Sequence, residues 1–119
     1  MIGQPTSLDI ALAFTKAWTS QDMDAAARYV DDDVVFDGPS SGAKSYLDAL
    51  TKLAGSVKVL KMIGVYGKDD QALLMYDLHT RQEDTLTCVK CLTVRDGKIV
   101  SDRLTLDSFK LRYAQGANA

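Results

Sequence analysis

Residues 57–109 decide the fold: VKVLKMIGVYGKDDQALLMYDLHTRQEDTLTCVKCLTVRDGKIVSDRLTLDSF. Runs rich in β-branched and apolar residues alternate with short polar turns, which predicts strands at Val57–Tyr66, Ala72–Arg81, Thr85–Val94 and Lys98–Phe109. The links between them are too short for a crossover, and Asp96-Gly97 is a strong hairpin signal. The sequence therefore predicts an antiparallel meander.

The residues before the meander are predicted to be mainly helical. A capping box at Thr6–Asp9 begins a helix that runs to about Ser20. Asp22 caps a second helix, from Met23 to about Val30.

A run of three aspartates, Asp31–Asp33, is expected to be the solvated exit of the second helix, followed by a short strand at Val34–Phe36. After the loop signal of residues 37–42, Ser40 or Ser41 is predicted to cap a third helix that ends at Gly55. The element order is then ααβαββββ, an α+β fold with helices packed on a mostly antiparallel sheet. No repeat or linker divides residues 1–119, so we expect one domain.

The composition is that of an ordinary globular protein. Hydrophobic residues make up 46% and charged residues 25%, and 14 basic against 16 acidic side chains give a formal charge of −2. A protein that contacts many phosphates would carry a basic excess, so we expect no nucleic-acid partner. No apolar run approaches a membrane span and the start carries no secretory signal, so we expect a cytoplasmic protein with no membrane partner.

Cys88 and Cys91 have the spacing of a C-x-x-C motif, but they lie within a predicted strand. Side chains three positions apart on a strand point to opposite faces, with Cα atoms roughly 10 Å apart, which is too far for a disulfide. The chain also has no second cysteine pair and a single histidine to complete a zinc site. We expect two ordinary thiols and no metal.

The strand Ala72–Arg81 offers two different faces. One turns from apolar to ionisable along Leu73, Met75, Asp77 and His79. We expect this face to give a small-molecule pocket, between helices and sheet, an apolar floor and a polar mouth. The other face is wholly apolar or aromatic, with Ala72, Leu74, Tyr76 and Leu78. Apolar residues on both faces indicate that both are covered, so we expect a homodimer joined through the sheet.

Three segments carry a family resemblance: Trp18–Asp24, Tyr29–Pro39 and Asp96–Val100. Together with the order of elements, they resemble the nuclear transport factor 2-like superfamily, and within it the ketosteroid-isomerase and SnoaL-like polyketide-cyclase branch. The resemblance extends from the first helix to Asp107. It implies a cone-shaped cystatin-like roll, in which helices and a curved sheet enclose a pocket, often in dimers joined through the sheet.

The resemblance assigns a role to Asp37. In the isomerase pattern, the acid that closes the first strand is the general base that removes a proton next to a carbonyl group, and Asp37 matches that position. Desolvation at a pocket wall makes a carboxylate a stronger base. The alternative is that Asp37 only begins the turn at Gly38-Pro39.

Phe14 and Lys90 stand where the isomerases place a tyrosine and a protonated acid that bind the enolate oxygen. Phe14 has no hydroxyl group, so steroid isomerisation itself is not expected. Lys90 could stabilise an oxyanion or pair with Asp37. The alternative is a strand lysine that faces solvent.

Three further ionisable residues are candidates. Asp77 and His79 share a strand face, so the carboxylate could orient the imidazole in one cavity, unless His79 is a rim residue near a turn. Asp102 aligns with an inward position, and the epoxide-hydrolase branch also uses an aspartate on this strand. The Arg-x-Asp pair of that branch is not found here.

The leading hypothesis is a small-molecule pocket protein that performs isomerase or cyclase chemistry on a hydrophobic carbonyl compound without a cofactor. Its candidate catalytic residues are Asp37, Asp77, His79, Lys90 and Asp102. The residues expected to contact the substrate are Phe14, Trp18, Tyr46 and Met75. The alternatives are a non-catalytic ligand-binding or dimerisation module of the same fold, and a hydrolase whose water is held by Asp102 and His79.

Overall fold

Three helices packed on a curved sheet make up residues 5–36 and 40–106, the part of the chain that the computed structural model describes. The helices are α1 (Ser7–Thr19), α2 (Met23–Ala27) and α3 (Ala43–Ser56). The strands are β1 (Val30–Phe36), β2 (Ser40–Ser41), β3 (Val57–Lys68), β4 (Gln71–Thr80), β5 (Thr85–Arg95) and β6 (Lys98–Leu106). The predicted α+β cone is confirmed. No helix within the described ranges is long and apolar enough to cross a membrane.

The sheet has the strand order β2-β1-β6-β5-β4-β3. Strands β3 to β6 form the predicted antiparallel meander, and its last hairpin turns through Asp96 and Gly97 with φ of 52° and 76°. Positive φ at both central residues is typical of the tight hairpin turns whose twist matches the flanking strands. Strand β1 lies parallel to β6, and this pairing puts Phe36 beside Asp102.

Helix α1 begins as the sequence predicts. The Thr6 side chain accepts a hydrogen bond from the Asp9 N–H at 3.1 Å, and the Asp9 carboxylate accepts one from the Thr6 N–H at 3.0 Å. The helix then buries Phe14 and Trp18 completely. At its start it approaches Gly67 of β3 so closely that a Cβ there would lie 2.8 Å from the Cβ of Leu8.

The acidic run Asp31–Asp33 lies within β1, and the prediction that it forms a helix exit is wrong, because α2 already ends at Ala27. The β1–β6 register is irregular between the residues that pair with Ile99 and Ser101. Extra residues in such an irregularity leave the ladder. Asp32 and Asp33 are therefore exposed, whereas Val34 is buried. Pairing with β6 prevails here over the local preference of aspartate for helix ends.

The start of α3 also differs from the prediction. Gly42 is the N-cap, with a φ of 100° that favours glycine, and its N–H donates to the carbonyl oxygen of Val34 at 2.8 Å. Ser40 and Ser41 form β2, which pairs with the end of β1. The cap position falls on Gly42, after the end of β2, so neither serine is the predicted cap.

The helices cover one face of the sheet, called the inner face below. On β4 this face carries Ala72, Leu74, Tyr76 and Leu78, none more than 2% exposed. The opposite, outer face carries Leu73 and Met75, which are 42% and 40% exposed. The expectation that the Leu73–His79 face forms the pocket wall is therefore wrong. Turning the wholly apolar face toward the helices removes more apolar surface from water, and it fixes the register.

The two cysteines lie on opposite faces of β5, as expected. Cys88 is buried on the inner face and Cys91 is half-buried, and both are free thiols. Within β5 the two thiols therefore cannot form a disulfide with each other.

Candidate active site

A cavity of about 220 Å³ lies against α3 and the inner face of the sheet. Most of its wall is apolar, formed by Phe36, Leu50, Leu53, Leu78, Leu86 and Leu104. Its ionisable lining residues are Tyr46, Tyr76, Cys88, Lys90 and Asp102. An engineered apolar cavity of about 150 Å³ holds benzene, so this cavity has the size of one substituted ring.

A buried ion pair is part of the cavity wall. The Lys90 ammonium (Nζ) lies 3.0 Å from Oδ2 of Asp102, and the two side chains are 3% and 4% exposed. The Tyr46 hydroxyl donates a hydrogen bond to the same carboxylate oxygen. One carboxylate thus holds a cation and a hydroxyl on a single oxygen.

The β5–β6 register and the start of α3 bring these three side chains together. Asp102 pairs with Leu92 across the hairpin, and Lys90 is two positions from Leu92, so both charged side chains are on the inner face. Diagonal neighbours of this kind are about 7–8 Å apart at the backbone, a distance that a lysine stem spans. Tyr46 enters from the first turn of α3.

Two aromatic rings of α1 lie near the ammonium group of Lys90. Its Nζ lies 5.8 Å from the centre of the Phe14 ring and 5.4 Å from that of Trp18. Phe14 stacks on Tyr46 at 5.8 Å between ring centres. Cation–π attraction of this kind stabilises an ammonium in a place from which water is excluded.

Two buried polar atoms in this region have no hydrogen-bond partner within the described ranges: Nε1 of Trp18 and Oδ1 of Asp102. A buried carboxylate oxygen without a partner costs free energy. Asp102 therefore has one oxygen fixed by Lys90 and Tyr46 and a second, equally buried oxygen that lacks a partner in the described part of the chain.

Tyr76 and Cys88 are neighbours on the cavity wall, because they pair across β4 and β5. Burial raises the pKa of Tyr76 strongly, with smaller contributions from Cys88 and Asp102. Burial also raises the pKa of the Cys88 thiol to about 11, although the Lys90 charge acts in the opposite direction. Both groups therefore keep their protons near neutral pH, and Cys88 is a poor nucleophile there.

The structure brings together five of the predicted site residues. Tyr46, Lys90 and Asp102 line the cavity, and Phe14 and Trp18 pack behind them against the ammonium. Lys90 is a buried partner of Asp102 and not a lysine that faces solvent.

Three other predicted residues lie on the outer face of β4. The Asp77 carboxylate accepts a hydrogen bond from the Thr87 hydroxyl at 2.8 Å, Nδ1 of His79 lies 3.0 Å from Oγ1 of Thr85, and Met75 is exposed. The prediction that they share the cavity is wrong, because the pleat turns this side of the strand away from the helices. A water held between Asp102 and His79 is excluded for the same reason. Asp37 lies outside the described residues.

Sequence reasoning missed Tyr76 and Cys88 as cavity residues. The signal that could have found Tyr76 is its position on the wholly apolar face of β4, where a hydroxyl group is the one polar exception.

Within residues 5–36 and 40–106, no three histidine, cysteine, aspartate or glutamate side chains are grouped to hold a metal ion.

The chain matches one family profile and is similar to several solved structures. The profile of the SnoaL-like domain matches residues 11–102. A protein of Kribbella flavida with a known crystal structure is 30% identical, with 97% of this chain and 98% of that chain covered and a TM-score of 0.86. A search of the curated proteins finds no significant match.

More distant solved structures share the fold. A candidate SnoaL-like polyketide cyclase of Shewanella denitrificans is 16% identical, covering 96% of this chain and 99% of its own, with a TM-score of 0.76. An M. tuberculosis LEH-like epoxide hydrolase is 20% identical, covering 95% and 96%, with a TM-score of 0.73. At these identities the likeness concerns the fold alone.

Proposed function

The chain belongs to the SnoaL-like domain family, whose fold binds small molecules, and from this premise we propose that it moves a proton on a small, mostly apolar carbonyl compound. The reaction is that of an isomerase or a cyclase and needs no cofactor. One observation carries the proposal: a buried Lys90–Asp102 pair with Tyr46 lies in the wall of an otherwise apolar cavity.

The energetics of this pair support a functional role. Desolvating two charges costs about as much as their attraction returns, so a buried ion pair is weak evidence for stability. Well-packed apolar side chains of similar volume often stabilise a fold as well as a buried ion pair does, or better. Charged groups that are retained in a cavity despite this cost are candidates for chemistry.

The two oxygens of the Asp102 carboxylate have different surroundings, which suggests a different role for each. Lys90 and Tyr46 hold Oδ2, while Oδ1 has no partner among the described residues and can take a proton from the carbon next to the ligand's carbonyl group. The same acid then returns the proton to another carbon, so atoms and charge balance. Asp37, which follows the cavity residue Phe36 in the sequence, stays the second candidate base on the strength of the family pattern.

Proton exchange tests the proposal directly. Acetophenone is incubated with the protein in D₂O, and NMR follows the loss of its methyl protons. Wild type is expected to accelerate the exchange, and Asp102→Asn to lose about a hundredfold or more of that rate. Asp48→Asn, at an exposed position of α3, is the matched control. Asp37→Asn decides between the two bases: if it abolishes exchange while Asp102→Asn does not, Asp37 is the base.

A non-catalytic ligand-binding module is the second candidate, and the pairing of Lys90 with Asp102 and Tyr46 favours it, because paired groups have less capacity for chemistry. This alternative predicts saturable binding of ketones with no exchange above the buffer rate. Binding and exchange therefore have to be measured on the same samples.

We also propose that the chain forms a homodimer through the outer face of the sheet. Tyr66, Leu73, Met75 and Val89 are each at least 40% exposed there. They are adjacent across β3, β4 and β5, because Tyr66 pairs with Leu73 and Met75 with Val89. A contiguous apolar patch on a strand surface is typical of an interface.

A further inference from the structure

The Tyr76 side chain lines the cavity, and its hydroxyl makes no hydrogen bond to the described part of the chain. The residue as a whole is only 1% exposed. Buried tyrosine hydroxyls usually find a partner, and one without a partner costs free energy. A ligand in the cavity could supply the missing partner.

The surroundings of Tyr76 make it a donor and not an acceptor for the ligand. Its pKa is raised by burial and by the negative charge of Asp102, so the hydroxyl keeps its proton. The other hydrogen-bond donors of the wall are already engaged: Lys90 and Tyr46 with Asp102, and the Cys88 thiol with the carbonyl oxygen of Leu86 at 3.7 Å. Tyr76 is thus the group suited to meet an acceptor on the ligand.

We infer that Tyr76 anchors the ligand by donating a hydrogen bond to its carbonyl oxygen, and that the ligand is a neutral ketone or enone of about one ring. This inference rests on the proposed function and gives it a substrate class. The single-ring size follows from the cavity volume of about 220 Å³, since about 150 Å³ suffices for benzene.

The proposed hydrogen bond from Tyr76 would also stabilise the enolate formed during the reaction. When Asp102 takes the proton from carbon, the electron pair of the broken C–H bond moves into the enolate and negative charge gathers on the carbonyl oxygen. The Tyr76 O–H bond stays intact and its hydrogen bond strengthens as that charge develops. The charge disappears when the proton returns to carbon. Tyr76 thus takes the role for which Phe14 lacks a hydroxyl.

A matched pair of ligands tests the inference without requiring turnover. Acetophenone and α-methylstyrene have the same shape, but the second has a CH₂ group in place of the carbonyl oxygen. Calorimetry is expected to show that wild type prefers acetophenone by about three- to tenfold. Tyr76→Phe removes the hydroxyl alone and should abolish this preference while keeping the affinity for α-methylstyrene. Tyr66→Phe, at an exposed tyrosine of β3, is the control.

Infrared spectroscopy supplies a readout that a purely structural role would not move. The carbonyl stretch of bound acetophenone should lie at lower frequency in wild type than in Tyr76→Phe, because a hydrogen bond weakens the C=O bond. An unchanged stretch, or a Tyr76→Phe protein that retains the full preference, overturns the inference and leaves the proposed function standing. Failure of wild type to bind either compound overturns both. Binding with the expected preference but without proton exchange overturns only the catalytic part of the proposed function.

Discussion

Replacing Lys90 with methionine leaves the Asp102 carboxylate buried without its countercharge. Methionine keeps most of the apolar volume of the lysine stem, so packing against Phe14 and Trp18 changes little. The Tyr46 hydroxyl can still donate to Oδ2 of Asp102. The change therefore isolates the electrostatic part of the pair.

The magnitude follows from the burial of both partners, which are 3% and 4% exposed. Removing one member of a buried pair costs about 3–5 kcal/mol of the free energy of unfolding. We expect the lower end, about 3 kcal/mol, because Tyr46 still stabilises the carboxylate. For a chain of this length that loss lowers the melting temperature by roughly 10 °C. The double variant Lys90→Met/Asp102→Leu removes both charges, so it should recover at least about 2 kcal/mol of the loss.

Urea denaturation followed by circular dichroism measures these differences, and equal m-values confirm that the same surface unfolds in each variant. The control is Arg95→Met, because Arg95 and Asp70 form an exposed pair at 3.8 Å with 69% and 49% side-chain exposure. Its effect should stay within about 0.5 kcal/mol. A Lys90→Met protein as stable as wild type would refute the reasoning, and so would a double variant no more stable than the single one.

Three further predictions concern other parts of the molecule. Leu73→Glu places a charge in the proposed interface, so sedimentation should show a monomer at concentrations where wild type is a dimer; a monomeric wild type contradicts the proposal. Gly67→Ala should lose at least about 1 kcal/mol, because its Cβ would meet Leu8, whereas Gly64→Ala, with open space at the same point, should not; equal losses contradict the packing argument. Because burial raises the pKa of the Cys88 thiol from about 9 to about 11, the folded state favours the thiol, and stability is lost as the pH rises through this range. Cys88→Ala should flatten that part of the stability profile, and a profile parallel to wild type would contradict the shift.

Features that depend on neighbouring residues were predictable from the sequence. The capping box at Thr6 and the hairpin at Asp96-Gly97 were predicted correctly, because each depends on a few adjacent residues. The acidic run was not, because whether Asp31–Asp33 leaves a helix or bulges from a strand is decided by pairing with β6, far along the chain.

In the candidate site, too, the sequence indicates individual residues, whereas the contacts between them depend on pairing between strands. Lys90 and Asp102 were each recognised as candidates, but their contact depends on the β5–β6 register, in which Asp102 meets Leu92. The predicted choice between the two faces of β4 is wrong because ionisable residues do not mark the face that is buried. Burial follows apolar area, which selects the face of Tyr76 and sends Asp77 and His79 outward.

The charges in the cavity wall bear on which ligands can bind. Lys90 and Asp102 cancel each other, and the raised pKa values of Tyr76 and Cys88 keep those two groups neutral. A charged ligand would lose its hydration without meeting an uncompensated countercharge among the described lining residues, and it would have to compete with the existing pair for Lys90 or Asp102. A neutral carbonyl compound avoids both costs. In the proposed reaction it needs a donor for its oxygen, the role proposed for Tyr76, and a base near the adjacent carbon, the role proposed for Asp102. The charges of Lys90 and Asp102 compensate each other, as they would in a purely structural ion pair. The same compensation makes the cavity suitable for a neutral substrate.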